Sequence, residues 1–260
     1  MNLSVNYLIL FSIILLVGCG KSNEDNKKII KITPEQITNL LENQSFECAS
    51  LGGGQCPEGI ARIFILNSSA PDKSSLCTGF LTKSNQLVTN HHCISSDIQC
   101  ASTYFSVYVS GSYETAKCKR VIGSKDDGKP LSEKAVDYSV LELDRHIRNT
   151  DVFKYSTSTI QLGSELTTWV IDHVDLFHAR VTELRCKLRG RRNSLELENC
   201  PSISGNSGSP VLNDRGYIVG VLWGSTTNDS ITEATPLGDR RAREDHSYAT
   251  EIRHFKNLLK

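Results

Sequence analysis

From residue 60 onward the chain is a succession of short segments rich in β-branched and aromatic residues, each closed by turn-forming residues. They read ARIFIL, CTGFLT, QLVTN, YFSVYVS, KCKRVIG, DYSVLEL, LTTWVID, ARVTELRC, SLELEN, GSPVLN, YIVGVLW and SYATEI. About twelve such strands at this spacing predict an all-β fold, an antiparallel barrel or sandwich. Two stretches break the pattern. TPEQITNLLEN predicts a short helix near residues 34–43, with Thr33 as N-cap, Pro34 at the first helical position and Gln36 closing a capping box. IRHFKNLLK predicts a short amphipathic helix at the C-terminus. No internal repeat or low-complexity tract interrupts the chain.

The first residues belong to export rather than to the fold. YLILFSIILLVG is apolar but too short to be read first as a spanning helix. It runs into Leu16-Val17-Gly18-Cys19, which resembles the lipobox of bacterial lipoproteins, although no Lys or Arg precedes the apolar run. The resemblance implies a signal peptide over 1–18, cleavage before Cys19, and lipid on the Cys19 thiol that anchors the chain to a membrane. The polar KSNEDNKKIIK then reads as a tether, so that residues 19–58 link the lipid to the folded domain.

Eight further cysteines remain, an even number that reads as a disulfide framework in an exported chain. Eight allow roughly a hundred pairings. Pairing each with its sequence neighbour would give Cys48–Cys56, Cys77–Cys93, Cys100–Cys118 and Cys186–Cys200. No C-x-x-C spacing suggests zinc, and the zero net charge offers no basic face for nucleic acid.

The chemistry is concentrated in SISGNSGSPVLNDRGYIVGVLWGS, residues 202–225. Gly205 and Gly208 flank Asn206-Ser207 and permit the unusual backbone that turns a serine oxygen outward. A nucleophilic serine needs a base, and the base needs an orienting acid. VTNHHC supplies histidines at a strand end, and DYSVLEL opens a strand with an aspartate.

On these three motifs, in this order, residues 60–257 resemble a trypsin-like (chymotrypsin-fold) serine protease, nearest the bacterial glutamyl endopeptidase branch in GNSGSPV. The resemblance implies two six-stranded antiparallel β-barrels, chymotrypsin-like, followed by a C-terminal helix, with the protease domain spanning 59–260. The family's base directly precedes a cysteine, which assigns the role to His92 and leaves His91 at a position the family fills with alanine. It further implies Asp137 as the acid, Ser207 as the nucleophile, the N–H groups of Gly205 and Ser207 as the oxyanion hole, and a Cys77–Cys93 disulfide. The first specificity pocket is implied between Pro201-Ser202-Ile203 and Leu222-Trp223-Gly224. Pro201 stands where trypsins carry aspartate, which disfavours a basic P1 residue. Leu222 stands where glutamyl endopeptidases carry histidine. Asn206 replaces the aspartate that a freshly cut N-terminus pairs with in trypsin.

His173, Asp175 and His178 are not read as a metal site, because 173 and 175 share a strand face that 178 does not. His246 at the start of the last strand and the charged run 238–245 read as loop features. The expected function is a monomeric serine endopeptidase acting on protein or peptide substrates, without cofactor, metal or nucleic acid. It is lipid-anchored to the bacterial envelope, with Gly20 favouring the outer membrane. The alternative is a protease-fold lipoprotein that binds without turnover.

Overall fold

The computed structural model describes residues 29–30, 39, 41–51, 53–66, 74–129, 136–174, 177–225 and 246–260. Each of the twelve β-rich segments becomes a strand. The first six are β3 (Ile60–Ile65), β4 (Ser74–Lys83), β5 (Gln86–Thr89), β6 (Thr103–Val109), β7 (Ser112–Asp126) and β8 (Asp137–Leu143). They pair in the order β4-β3-β6-β7-β8-β5, and β5 returns to β4 to close a barrel. The second six are β9 (Glu165–His173), β10 (His178–Arg191), β11 (Leu195–Glu198), β12 (Pro210–Leu212), β13 (Ile218–Ser225) and β14 (His246–Glu251). They close likewise through β11-β14-β13-β12-β9-β10 and a β10–β11 pairing. The expected pair of six-stranded antiparallel barrels is therefore present.

Strand β8 shows why several of these segments are apolar on both faces. Leu141 and Leu143 point into the first barrel, beside Ile63, Leu87 and Phe105. Tyr138 and Val140 point the other way, into a layer shared by both barrels that includes Phe80 and Val88 from the first and Ile171, Val181 and Val221 from the second. Alternate side chains of one strand thus fill a barrel interior and the seam between barrels. Burying each large apolar side chain is worth about 1.5–3 kcal/mol relative to exposure. A third cluster, with Leu166, Val170, Leu184 and Leu222, fills the second barrel.

Four disulfides join neighbours in sequence: Cys48–Cys56, Cys77–Cys93, Cys100–Cys118 and Cys186–Cys200. Cys100 lies on a single helical turn, α1 (Asp97–Ala101), whose N-cap Ser96 accepts from the Gln99 N–H. Its bond to Cys118 ties that turn to β7.

The expected C-terminal helix is present as two short 3-10 turns, Ile252–His254 and Lys256–Leu259, rather than one continuous helix. Between them Phe255 leaves helical geometry, at φ −131° and ψ 0°, as its ring enters the inter-barrel layer 5.2 Å from Tyr138. Ile252, Phe255 and Leu259 are all buried there, and that packing outweighs the weak helical preference of nine residues. The folded unit also begins earlier than residue 59. Two strands, β1 (Ile29–Ile30) and β2 (Ser45–Ala49), precede the barrels in sequence. β1 pairs with Ser74–Ser75 of β4, and β2 runs parallel to His178–Thr182 of β10. Phe46 packs on Tyr108 and Tyr113, and Gln44 Nε2 donates to Ser106 Oγ at 2.6 Å. Of the helix expected over 34–43, Asn39, Leu41 and Glu42 are helical, Asn43 is a bend whose N–H donates to the Asn39 carbonyl at 3.0 Å, and the other residues lie outside the described ones, as do the signal segment and Cys19.

Candidate active site at the barrel seam

Three chain segments converge between the barrels. The residues after β5 carry His91 and His92, the first residue of β8 is Asp137, and the turn before β12 carries Gly205 to Gly208. Asp137 is fully buried, and its carboxylate faces His92 alone of the two histidines. Its Oδ2 lies 2.7 Å from His92 Nδ1, and its Oδ1 accepts the His92 backbone N–H at 3.2 Å. A carboxylate only accepts, so His92 Nδ1 carries the proton in this contact. The Asp137 backbone is held from both sides: its N–H donates to Thr250 Oγ1 at 2.8 Å, and its carbonyl accepts from Asn90 Nδ2 at 2.8 Å. His91 turns away and engages Ser124 Oγ through Nδ1 at 2.8 Å.

His92 also lies against the Cys77–Cys93 disulfide. A ring nitrogen and both sulfurs lie within 4.8 Å of one another. That grouping is not a metal site, since each sulfur is bonded to the other. The disulfide fastens the histidine segment to β4, and β4 in turn reaches the serine turn. Thr78 donates its N–H to the Ser207 carbonyl at 2.8 Å and its Oγ1 to the Gly205 carbonyl at 2.9 Å.

Within that turn, Gly205 and Gly208 both have φ of +93°. A Cβ on Gly208 would sit 1.9 Å from the Thr78 carbonyl oxygen, so the turn approaches β4 as closely as it does only because Gly208 has no side chain. Among the described residues, the N–H groups of Gly205 and Ser207 have no protein acceptor. Their neighbours are bonded: Asn206 N–H reaches the Ile203 carbonyl at 3.0 Å and Gly208 N–H the Leu222 carbonyl at 2.8 Å. Asn206 is satisfied at both ends of its amide, donating to the Ile171 carbonyl and accepting from the Ile203 N–H, each at 2.9 Å.

Thr78, Asn90, Thr250 and His173 escaped the sequence reading as parts of this site. Thr78 and Asn90 sit next to motif residues, in CTGF and TNHHC, but their polar roles depend on tertiary partners. Of the residues expected to line a pocket, Pro201 is buried, and Ser202 is 3% exposed and bonded through its Oγ to Ser247 Oγ at 2.8 Å. Ser247 donates in turn to the Cys200 carbonyl and pairs with Ser225 on β13, which ties the two expected walls together. Ile203 and Gly224 are half-buried, and Trp223 stacks on Tyr248 with centroids 5.5 Å apart. Leu222 is different: its side chain is in the core of the second barrel, and only its backbone touches the serine turn. His246 accepts from Arg189 Nη1 at 2.6 Å. The run 238–245 and Asp175 lie outside the described residues.

The family model of the trypsin-like peptidase domain matches residues 77–221, from the disulfide on β4 to β13. The chain belongs to the trypsin-like peptidase family. Among curated proteins none matches it by sequence. Among solved structures it resembles a Glu endopeptidase in complex with MPD, at 18% identity and a TM-score of 0.55 over 77% of this chain and 88% of that one. An inactive form of the Rv3671c protease of M. tuberculosis aligns at 16% identity and a TM-score of 0.48, over 77% and 87%. At these identities the likeness to the Glu endopeptidase concerns the fold, which is the chymotrypsin-like double barrel.

Proposed function

We propose that this trypsin-like peptidase is a serine endopeptidase with His92, Asp137 and Ser207 as its triad. The observation that supports this most is the 2.7 Å contact of His92 Nδ1 with a carboxylate that is fully buried. A buried aspartate held by two backbone contacts has one evident use here, to fix the tautomer and direction of the ring beside it. In the reaction Ser207 Oγ attacks the scissile carbonyl carbon while His92 Nε2 takes its proton. The carbonyl oxygen becomes an oxyanion received by the N–H groups of Gly205 and Ser207. His92 then protonates the leaving amine, and water repeats the sequence on the acyl-enzyme. The substrate is a protein or peptide whose P1 side chain lies among Pro201, Ser202, Ile203, Leu222, Trp223 and Gly224, with Leu222 contributing backbone.

The enzyme acts at the bacterial envelope, held by lipid on Cys19. Four disulfides agree with an oxidising compartment. Two measurements test the reading. A fluorophosphonate probe is expected to label the wild-type chain and not Ser207→Ala. An unlabelled wild type would favour the silent binding protein. Labelled palmitate is expected to enter the mature chain and not Cys19→Ser; label that persists in that variant refutes the anchor.

A further inference from the structure

The turn that carries Ser207 contains a glycine where a rigid residue would be safer. Gly205 is free to rotate, yet its N–H is one of the two assigned to the oxyanion. Its carbonyl is clamped by one donor from each barrel. Thr78 Oγ1 on β4 reaches it at 2.9 Å, and His173 Nε2 on β9 at 3.2 Å. His173 is fully buried, and its ring closes over the Gly205 Cα, where a Cβ would meet Cδ2 at 2.6 Å. The ring has its own support. Arg62 on β3, also fully buried, donates Nε to His173 Nδ1 at 3.0 Å, with its guanidinium 4.8 Å above the Phe64 ring. Arginine has no acceptor to offer, so Nδ1 must be the unprotonated nitrogen and Nε2 the one that donates to Gly205.

We propose that His173, oriented by Arg62, is a positioning residue that locks the Gly205–Asn206 peptide and so aims the oxyanion-binding N–H groups; this rests on the serine endopeptidase reading above. Turning that peptide would break both bonds to the Gly205 carbonyl and the Asn206 N–H bond to Ile203 together, a cost a lone glycine cannot impose. The arrangement also spans both barrels, so the geometry of the turn depends on their mutual seating.

The test measures fluorophosphonate labelling of Ser207, resolved into the saturating rate kinact and the half-saturating concentration KI, on variants whose folding is checked by circular dichroism. His173→Leu removes both bonds. His173→Asn keeps an acceptor for Arg62 but falls short of Gly205. His173→Gln can accept from Arg62 and donate to Gly205. Expected are a fall in kinact of roughly 10- to 100-fold for Leu and Asn with KI unchanged, and recovery to within a few-fold in Gln. A merely structural role would lower the melting temperature and the labelled fraction but leave kinact of the folded protein alone. Wild-type kinact in a folded Leu or Asn variant overturns the proposal. So does loss of folding in all three, which would make His173 a packing element. A wild type that does not label, or a Ser207→Ala that does, removes the endopeptidase reading itself.

Discussion

His91 and His92 are chain neighbours with separate fates, because the turn that follows β5 sends their side chains in different directions. One meets Ser124 on β7 and the other a buried carboxylate. Under the proposed mechanism His92→Ala is expected to lose on the order of 10⁴-fold or more in kcat, as completely as Ser207→Ala, since the members act as a unit. His91→Ala is expected to keep most of its activity. Asp137→Asn is expected to fall by roughly 10⁴-fold with the fold intact, because an amide in that place leaves the ring in the wrong tautomer. Turnover of fluorescent casein, with circular dichroism as the folding control, separates these cases. A dead His91→Ala beside an active His92→Ala would sink the assignment. Gly208→Ala differs in kind. The added methyl collides with the backbone of β4, so both thermal stability and Ser207 labelling are expected to drop together.

Among the elements, the twelve barrel strands and the order of the three motifs were legible in the sequence, because alternation and turn residues are local signals. What was not legible depended on distant partners. Ile29–Ile30 is a two-residue strand inside a charged run, and SFECA pairs in parallel with β10, a partner some 130 residues on: Arg180 reaches Glu47 across a separation of 133. His173 stood out in the sequence only as a possible ligand, whereas its ring is taken up by Arg62 and Gly205. The same local logic applies to β7 and β8. Glu142 takes hydrogen bonds from Lys119 at 2.6 Å and Arg120 at 2.5 Å, which hold its carboxyl below the usual range. A carboxyl depressed by folding adds stability above its unfolded pKa and loses it as pH falls through the folded value. The melting-temperature gap between wild type and Glu142→Gln is therefore expected to be largest near neutrality and to close in acid. A gap that widens on acidification contradicts this. The Cys77–Cys93 bond joins β4 to the histidine segment, and its loss in Cys77→Ala/Cys93→Ala is expected to cost about 2–5 kcal/mol in denaturant unfolding.

On the scale of the whole molecule, the site exists only where two closed barrels meet. His92 and Asp137 belong to the first barrel, Ser207 to the second, and Thr78 with the Arg62–His173 pair crosses between them. A closed barrel has no edge to offer a passing chain, but a strand that overhangs its neighbour at the closing pairing does. β11 covers β10 only over Lys187–Arg191, and β5 covers β4 only over Phe80–Lys83. The overhangs, His178–Thr182 and Ser74–Ser75, are the places where β2 and β1 dock. A chain cut back to residue 59 is expected to lose its monodispersity in light scattering, while Cys19→Ser, which keeps both strands, retains it. Strands β1 and β2 thus serve as guards: they occupy backbone N–H and C=O groups that would otherwise recruit a strand from a neighbouring copy.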